Sequence, residues 1–158
     1  MAIESKHPGY HALRRGRWSE SGRIYLLTTV TDDRQKLFSD WKTASVAASV
    51  MSRADNWPGA NLLCWVLMPD HWHGLVELSG EVQLAEVVRV AKGRSARSIN
   101  LVLGRTGTVW MPGFHDRALR HEDSIVDAAR YIVANPLRAG LVERVGDYPF
   151  WDAIWLLQ

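Results

Sequence analysis

The sequence predicts an α+β fold in which an antiparallel sheet carries helices mainly on one face. The length of 158 residues is close to that of one ordinary globular domain, so residues 1–158 are expected to form a single domain. Apolar residues make up 47% of the chain and charged residues 23%, which excludes disordered, collagen-like and coiled-coil chains. The segments follow in the order strand, helix, strand, strand, helix, strand, helix, which fits a ferredoxin-like arrangement.

The first half of the chain contains three predicted strands and one helix. Residues 23–31 are rich in β-branched and aromatic side chains and predict a strand. Residues 39–54 have apolar side chains near helical spacing and predict a helix, which Asp40 or the serine before it can cap. Two apolar runs follow, residues 60–68 and 71–78, separated only by a Pro-Asp pair. They predict a hairpin in the middle of the sheet.

The longest helix is predicted over residues 82–103. At about 100° per residue its apolar side chains cluster on one side and its basic side chains spread over the other. From Arg89 to Arg120 the chain has seven Lys and Arg residues against Asp116 alone, although the net charge is only +2. This asymmetry fits either a surface that binds a polyanion or an ordinary solvated surface. The basic residues that would form such a polyanion-binding surface are Arg89, Lys92, Arg94, Arg97, Arg117 and Arg120.

The N-terminal residues 1–21 predict a basic arm that contains Arg14, Arg15 and Arg17. The arm either adds to the polyanion-binding surface or is a disordered tail. It lacks the apolar core of a signal peptide, and no later stretch reaches 18 apolar residues, so we expect a cytoplasmic protein without a membrane partner. Cys64 is the only cysteine, which excludes a disulfide framework and fits a reducing compartment.

The C-terminal third predicts one more strand and one more helix. Residues 117–120 are a candidate edge strand. The helix starts near Asp123 and is expected to stop at Asn135, because Pro136 disfavours helical geometry in the residue before it. Residues 136–141 are then expected to form a turn.

The clearest candidates for chemistry are His71 and His73. They flank Trp72 in a predicted strand, and the two-residue period of a strand places both imidazoles on one face. One metal ion can bind both, but two imidazoles supply only part of a coordination shell. A pair of surface histidines on a half-buried strand is the alternative interpretation. The other histidines, including His115, are isolated in the sequence and are interpreted as surface groups.

The last predicted helix supplies further candidates. Its polar residues Ser124, Asp127, Tyr131 and Asn135 fall within about 80° of one another, away from the apolar sector. Asn135 is four residues after Tyr131, so the amide oxygen and the hydroxyl can lie on the same face. The alternatives are an amphipathic ring that caps the core, for Tyr131, and a residue that ends the helix before a proline, for Asn135.

Several motifs, in order along the chain, resemble the single-tyrosine HUH transposases. The hairpin NLLCWVLMPDHWHGLVEL is similar to the family's HUH motif, two histidines around a hydrophobic residue, with its apolar strand and Met-Pro-Asp turn. The family's C-terminal half resembles the segment VWMPGFHDRALRHEDSIVDAARYIVANPLRAGLVERVGDYPFW, and its first strand resembles GRIYLLTT. The likeness runs from about Gly22 to Phe150. The Tyr-x-x-x-Asn-Pro form is similar to that of the REP-associated tyrosine transposases, whereas the mobile insertion-sequence members usually have Gln at the position of Asn135.

This resemblance implies a ferredoxin-like HUH fold with the two histidines on a central strand. It implies that Tyr131 is the catalytic nucleophile and that His71, His73 and Asn135 hold a divalent metal, Mg²⁺ or Mn²⁺. The implied reaction is DNA transposition by cleavage and rejoining of single-stranded or hairpin DNA, through a 5′-phosphotyrosine intermediate at a REP-like palindrome. The implied assembly is a monomer, or a homodimer that exchanges the tyrosine helix.

Two other interpretations remain open at this point. A non-catalytic nucleic-acid-binding module derived from a transposase would keep the sheet and the basic helix without cleaving DNA. The complete set of His71, His73, Tyr131 and Asn135 argues against such decay. A structural zinc site at the two histidines would need a cysteine or a third ligand close in sequence, and the sequence has neither.

Overall fold

The computed structural model of the protein describes residues 21–120 and 123–157. The predicted arm with Arg14, Arg15 and Arg17 lies outside the described residues, apart from its last residue. The strands and helices are β1 (Ile24–Val30), α1 (Trp41–Ser52), β2 (Ala60–Met68), β3 (His71–Leu78), α2 (Leu84–Leu103), β4 (His115–Ala118), α3 (Ile125–Val133), α4 (Asn135–Arg138) and β5 (Trp151–Ala153). Every helix in these ranges is too short or too polar to cross a membrane.

The described strands form one antiparallel sheet in the order β4-β1-β3-β2-β5. The first four strands and the helices α1 and α2 follow the βαββαβ element order of a ferredoxin-like fold. The predicted fold class is therefore confirmed. Strand β3 lies at the centre and pairs with both β1 and β2, so the predicted hairpin lies inside the sheet.

The elements of the first half agree closely with the sequence. Both hairpin strands have their predicted bounds, and β1 lies within its predicted range. The predicted cap of α1 is also confirmed, because the Asp40 carboxylate accepts a hydrogen bond from the Thr43 backbone N–H at 2.9 Å.

Three features near the C-terminus differ from the prediction. The edge strand β4 begins at His115, two residues before the predicted range 117–120. Residues 136–141 do not form only a turn, because Pro136 lies in the first turn of α4, where its missing N–H is not needed. Strand β5 was not predicted, since its three residues show no alternating pattern and it forms by pairing with β2.

The two faces of the sheet carry different helices. On one face, α1 and α2 cover a core that includes Trp72, Val76 and Leu78 of β3. On the other face, Ala129 and Ile132 of α3 pack in a smaller cluster that includes Leu75. The two longest described helices therefore share a face, as predicted, while α3 lies on the opposite one.

Tyr148 attaches the segment before β5 to the sheet. Its hydroxyl donates to the Leu67 carbonyl oxygen at 2.5 Å, and burial raises the pKa of Tyr148 to about 12. An unfolded tyrosine titrates near pH 10, so this contribution to stability is present below about pH 10 and is lost as the pH rises towards 12. We expect the wild type to lose stability relative to Tyr148→Phe between about pH 9 and about pH 11.5 in urea unfolding experiments. A constant difference would contradict this.

Candidate active site

His71 and His73 lie on the same face of the central strand β3, as predicted. Their ring centroids are 4.6 Å apart and their planes are nearly perpendicular, at 81°. Both side chains are half-buried, whereas Trp72 between them is fully buried in the core on the opposite face. The strand therefore presents two adjacent imidazoles on one side of the sheet.

Hydrogen bonds orient both imidazole rings. Thr28 Oγ1 on β1 and His73 Nδ1 are joined by a hydrogen bond of 2.7 Å. His71 Nδ1 donates to Asp70 Oδ1 at 2.6 Å, and Asp70 also forms an ion pair of 3.6 Å with Arg34. Because Nδ1 of each ring is engaged, the Nε2 atoms are the ring nitrogens left for a ligand. Carboxylate and hydroxyl partners of this kind orient metal-binding histidines in proteins.

The environment of His73 favours a neutral imidazole. Burial, together with the smaller effects of the positive charges of His71 and Arg138, lowers the pKa of His73 to about 4, although a hydrogen bond with the Leu27 backbone and the charge of Asp70 act in the opposite direction. A neutral imidazole has a free lone pair on one ring nitrogen, which is the form that binds metal ions.

Tyr131 and Asn135 lie on the helices that pack over this same face of the sheet. The buried side of α3, Ala129 and Ile132, packs in the cluster that contains Val66 and Leu75, whose side chains share the face of the histidines. Tyr131 itself is 59% exposed, so it does not cap the core. Asn135 is half-buried and begins α4, which packs against β2.

Arg138 is a neighbour of Tyr131 that the sequence did not indicate. Its guanidinium carbon lies 3.9 Å from the centroid of the Tyr131 ring, within the range of a cation–π interaction. The two residues are seven positions apart, which is the spacing of two helical turns. That spacing was the available signal, but the predicted turn after Pro136 removed Arg138 from the helical pattern.

The basic side chains of α2 do not share the face of the histidines, because α2 packs on the opposite face of the sheet. The Lys92 ammonium donates to the carbonyl oxygens of Met111 at 2.7 Å and Gly113 at 2.5 Å. Arg94 donates to the Asp55 carbonyl oxygen at 2.6 Å. The Arg89 guanidinium donates to the Glu86 carboxylate, and the Arg97 side chain is exposed. Lys92 and Arg94 therefore stabilise the fold.

The edge strand β4 adds basic residues to the face of the histidines. His115 pairs with Thr28 and Arg117 with Leu26, and residues directly opposite in an antiparallel pair point to the same side. Arg117 lies 3.3 Å from Asp123, which also accepts a hydrogen bond from the Arg120 backbone N–H. His115, interpreted from the sequence as a surface group, is exposed but lies in the same row across the sheet as His73.

A closed zinc site has no support in the described residues. Nowhere in residues 21–120 and 123–157 do three His, Cys, Asp or Glu side chains cluster in a way that could hold a metal ion. The single thiol, Cys64, is buried in the cluster that contains Ala129 and Ile132 of α3, and burial raises its pKa to about 12. A site at the histidines therefore needs a ligand of another type, such as an amide oxygen.

The chain is similar to known proteins over most of its length. The family model described as "Transposase IS200 like" matches residues 20–135. A REP-associated tyrosine transposase of Escherichia coli (strain K12) is 29% identical over 87 residues, which are 54% of this chain and 50% of the relative. This match thus spans half the length of the E. coli protein. A relative from Haemophilus influenzae is 24% identical over 139 residues, 82% of this chain and 78% of the relative.

One solved structure shows the same fold. It is a REP-associated tyrosine transposase bound to a REP hairpin, and it matches with a TM-score of 0.65 at 23% sequence identity. The match covers 85% of this chain and 79% of the other.

Proposed function

The chain belongs to the family of IS200-like transposases, and from this premise we propose that it is a REP-associated transposase that cleaves and rejoins single-stranded DNA through Tyr131. The observation that carries this proposal is the pairing of two imidazoles on β3 with an exposed tyrosine on α3, over one face of the sheet. An exposed tyrosine on a helix that packs over the same sheet face as candidate metal ligands suits a phosphodiester substrate.

A divalent cation suits the donor atoms of this site. His71 and His73 would hold it through Nε2, since both Nδ1 atoms are hydrogen-bonded within the protein. Asn135 would add its amide oxygen, and a mixed set of nitrogen and oxygen ligands suits Mn²⁺, with Mg²⁺ as the second candidate. When bound, the cation would neutralise negative charge on the scissile phosphate.

The proposed reaction exchanges one phosphodiester for another. The Tyr131 oxygen attacks phosphorus, and the bond from phosphorus to the 3′ oxygen breaks. Tyr131 loses its phenolic proton and the leaving 3′ oxygen gains one, so the number of protons does not change. The 5′-phosphate stays esterified to Tyr131. A 3′-hydroxyl can then attack the phosphotyrosine and release the phenol, which rejoins the strand. A single nucleophile acts on one strand at a time, which favours a single-stranded substrate.

The relatives support DNA with a hairpin as the substrate, since one solved structure of the same fold is bound to a REP hairpin. On this chain, Arg117 and His115 extend the histidine face towards the β4 edge, where both side chains are exposed. We propose that Arg117 contacts the DNA backbone beside the site. The predicted arm with Arg14, Arg15 and Arg17 remains a candidate for further phosphate contacts.

The test is the formation of a covalent adduct by the wild-type protein. A single strand that folds into a palindromic hairpin, taken from repeats beside the gene, is labelled at its 3′ end, because cleavage leaves the downstream fragment on the protein. We expect a labelled protein band on a denaturing gel with Mn²⁺, a tryptic peptide carrying phosphotyrosine at residue 131, and no band with a fully paired duplex. Salt-sensitive binding without an adduct would refute the proposal and favour the binding module.

Metal binding can be measured separately from cleavage. We expect His73→Ala to abolish Mn²⁺ binding, and Thr28→Val to weaken it about 10-fold, because Thr28 only orients the ring. His115→Ala is the matched control, since His115 lies in the same row but β1 separates it from His73. Free Mn²⁺ is followed by electron paramagnetic resonance. Equal affinities for the wild type and His73→Ala would contradict the assignment.

A further inference from the structure

The guanidinium group of Arg138 contacts the ring of the proposed nucleophile. We propose that Arg138 positions the Tyr131 ring for attack and binds the phosphate group under attack. This inference rests on the proposed function, because it assigns a role to Arg138 only if Tyr131 is the nucleophile.

The junction between α3 and α4 creates the contact. Ala134 separates the two helices, and Pro136 lies in the first turn of α4, where its fixed φ angle favours a new helix. The Arg138 backbone N–H donates to the Ala134 carbonyl oxygen at 3.0 Å, which closes this turn. The ring and the guanidinium are therefore held by a short hydrogen-bonded segment rather than by a long loop.

The charge of Arg138 has no carboxylate partner among residues 21–120 and 123–157. Its neighbours differ in this respect, since Arg130 pairs with Asp127 at 3.3 Å and Arg144 pairs with Asp147 at 3.0 Å. Arg138 is exposed, and its guanidinium carbon lies over the Tyr131 ring. A guanidinium without a carboxylate partner can bind an anion through its N–H donors, and it matches the oxygens of a phosphate in bidentate geometry.

The position of Arg138 fits both parts of this role. Its guanidinium contacts the proposed nucleophile, and α4 packs against β2, the strand next to the one that carries the histidines. A positive group held at this place before the substrate arrives stabilises negative charge that develops on the phosphate oxygens. The alternative is a purely structural role, in which a basic residue in the last turn of α4 stabilises the helix end.

The first measurement reports on the ring without DNA or metal. Protein labelled with ¹³C in the tyrosine rings has four tyrosines, and the Tyr131 signals are those lost in Tyr131→Phe. We expect Arg138→Gln to shift the Tyr131 signals and Arg130→Gln to leave them in place. Arg130 is the matched control because it is on α3 next to Tyr131 but pairs with Asp127. Thermal unfolding checks that both variants fold.

The second measurement is the single-turnover rate of adduct formation at saturating hairpin DNA. We expect Arg138→Gln to slow it about 100-fold, as for removal of one preorganised charge from a transition state, and Arg138→Lys to regain part of the loss. The hairpin Kd should change by less than about threefold, since one phosphate contact is lost among several.

A structural role would give Arg138→Gln the same rate as Arg130→Gln, or unchanged Tyr131 signals, and either result overturns the inference while leaving the proposed function intact. If the wild type forms no adduct at all, the proposed function fails and the assignment of Arg138 fails with it.

Discussion

Tyr131→Phe is expected to form no covalent adduct with hairpin DNA, a loss of at least about 1000-fold relative to the wild type, because no other group replaces a missing nucleophile. The substitution removes one oxygen atom and keeps the ring that Arg138 contacts. Since Tyr131 is 59% exposed, we expect the free energy of unfolding to change by less than about 0.5 kcal/mol. The variant should also bind the hairpin as tightly as the wild type.

The matched control for this loss is Tyr148→Phe. Tyr148 lies near the same face of the sheet but its hydroxyl is engaged with the Leu67 carbonyl oxygen. We expect this variant to be less stable and to form the adduct at close to the wild-type rate below its unfolding temperature. Adduct formation by Tyr131→Phe would show that another side chain attacks the phosphate. Loss in both variants would indicate that the assay reports folding rather than chemistry.

The sequence predicted the placement of the two histidines well because the information was local. A two-residue period places His71 and His73 on one face of a strand, and the apolar runs on both sides of the Pro-Asp turn determine the hairpin. Of the two side-chain hydrogen-bond partners of these histidines, one is local in sequence and the other is distant. Asp70 is adjacent in sequence to His71, whereas Thr28 lies 45 residues from His73 and meets it only through the pairing of β1 with β3.

Features that depend on tertiary packing were harder to predict. The polar stripe on α3 indicated that Tyr131 points away from the apolar sector, but only the packing of Ala129 and Ile132 places α3 over the histidine face. For the basic residues of α2, the sequence showed the charges but not their partners in the fold. Lys92 and Arg94 bind carbonyl oxygens of distant segments, which no local pattern reveals.

Gly74→Ala is expected to destabilise the protein by about 3 kcal/mol or more, through overpacking of a buried site. Gly74 follows His73 on β3, and a methyl group at this position would overlap the six-membered ring of Trp72. Trp72 is fully buried and stacks on Trp57, with ring centroids 5.2 Å apart. Trp57 is in turn held by a hydrogen bond of 2.7 Å from its indole N–H to the Met51 carbonyl oxygen.

The Trp72 indole therefore has no room to move away from a new methyl group. Backbone preference alone would favour alanine, because glycine in a strand interior costs about 0.5–1 kcal/mol relative to alanine. The predicted loss is thus a steric effect, and it exceeds this gain. It is also large beside a total stability of about 5–15 kcal/mol for a domain of ordinary size.

Urea unfolding of three variants separates the steric effect from a general effect of adding a methyl group. Gly93→Ala is the control, since Gly93 is on the exposed side of α2 with no atom near its missing Cβ, and we expect it to stabilise the protein by about 0.5–1 kcal/mol. Adding Trp72→Phe to Gly74→Ala should cost less than the sum of the two single changes, because the smaller ring relieves the overlap. Additive losses, or a Gly74→Ala variant as stable as the wild type, would mean that the indole can move aside and that Gly74 is not required by its contact with Trp72.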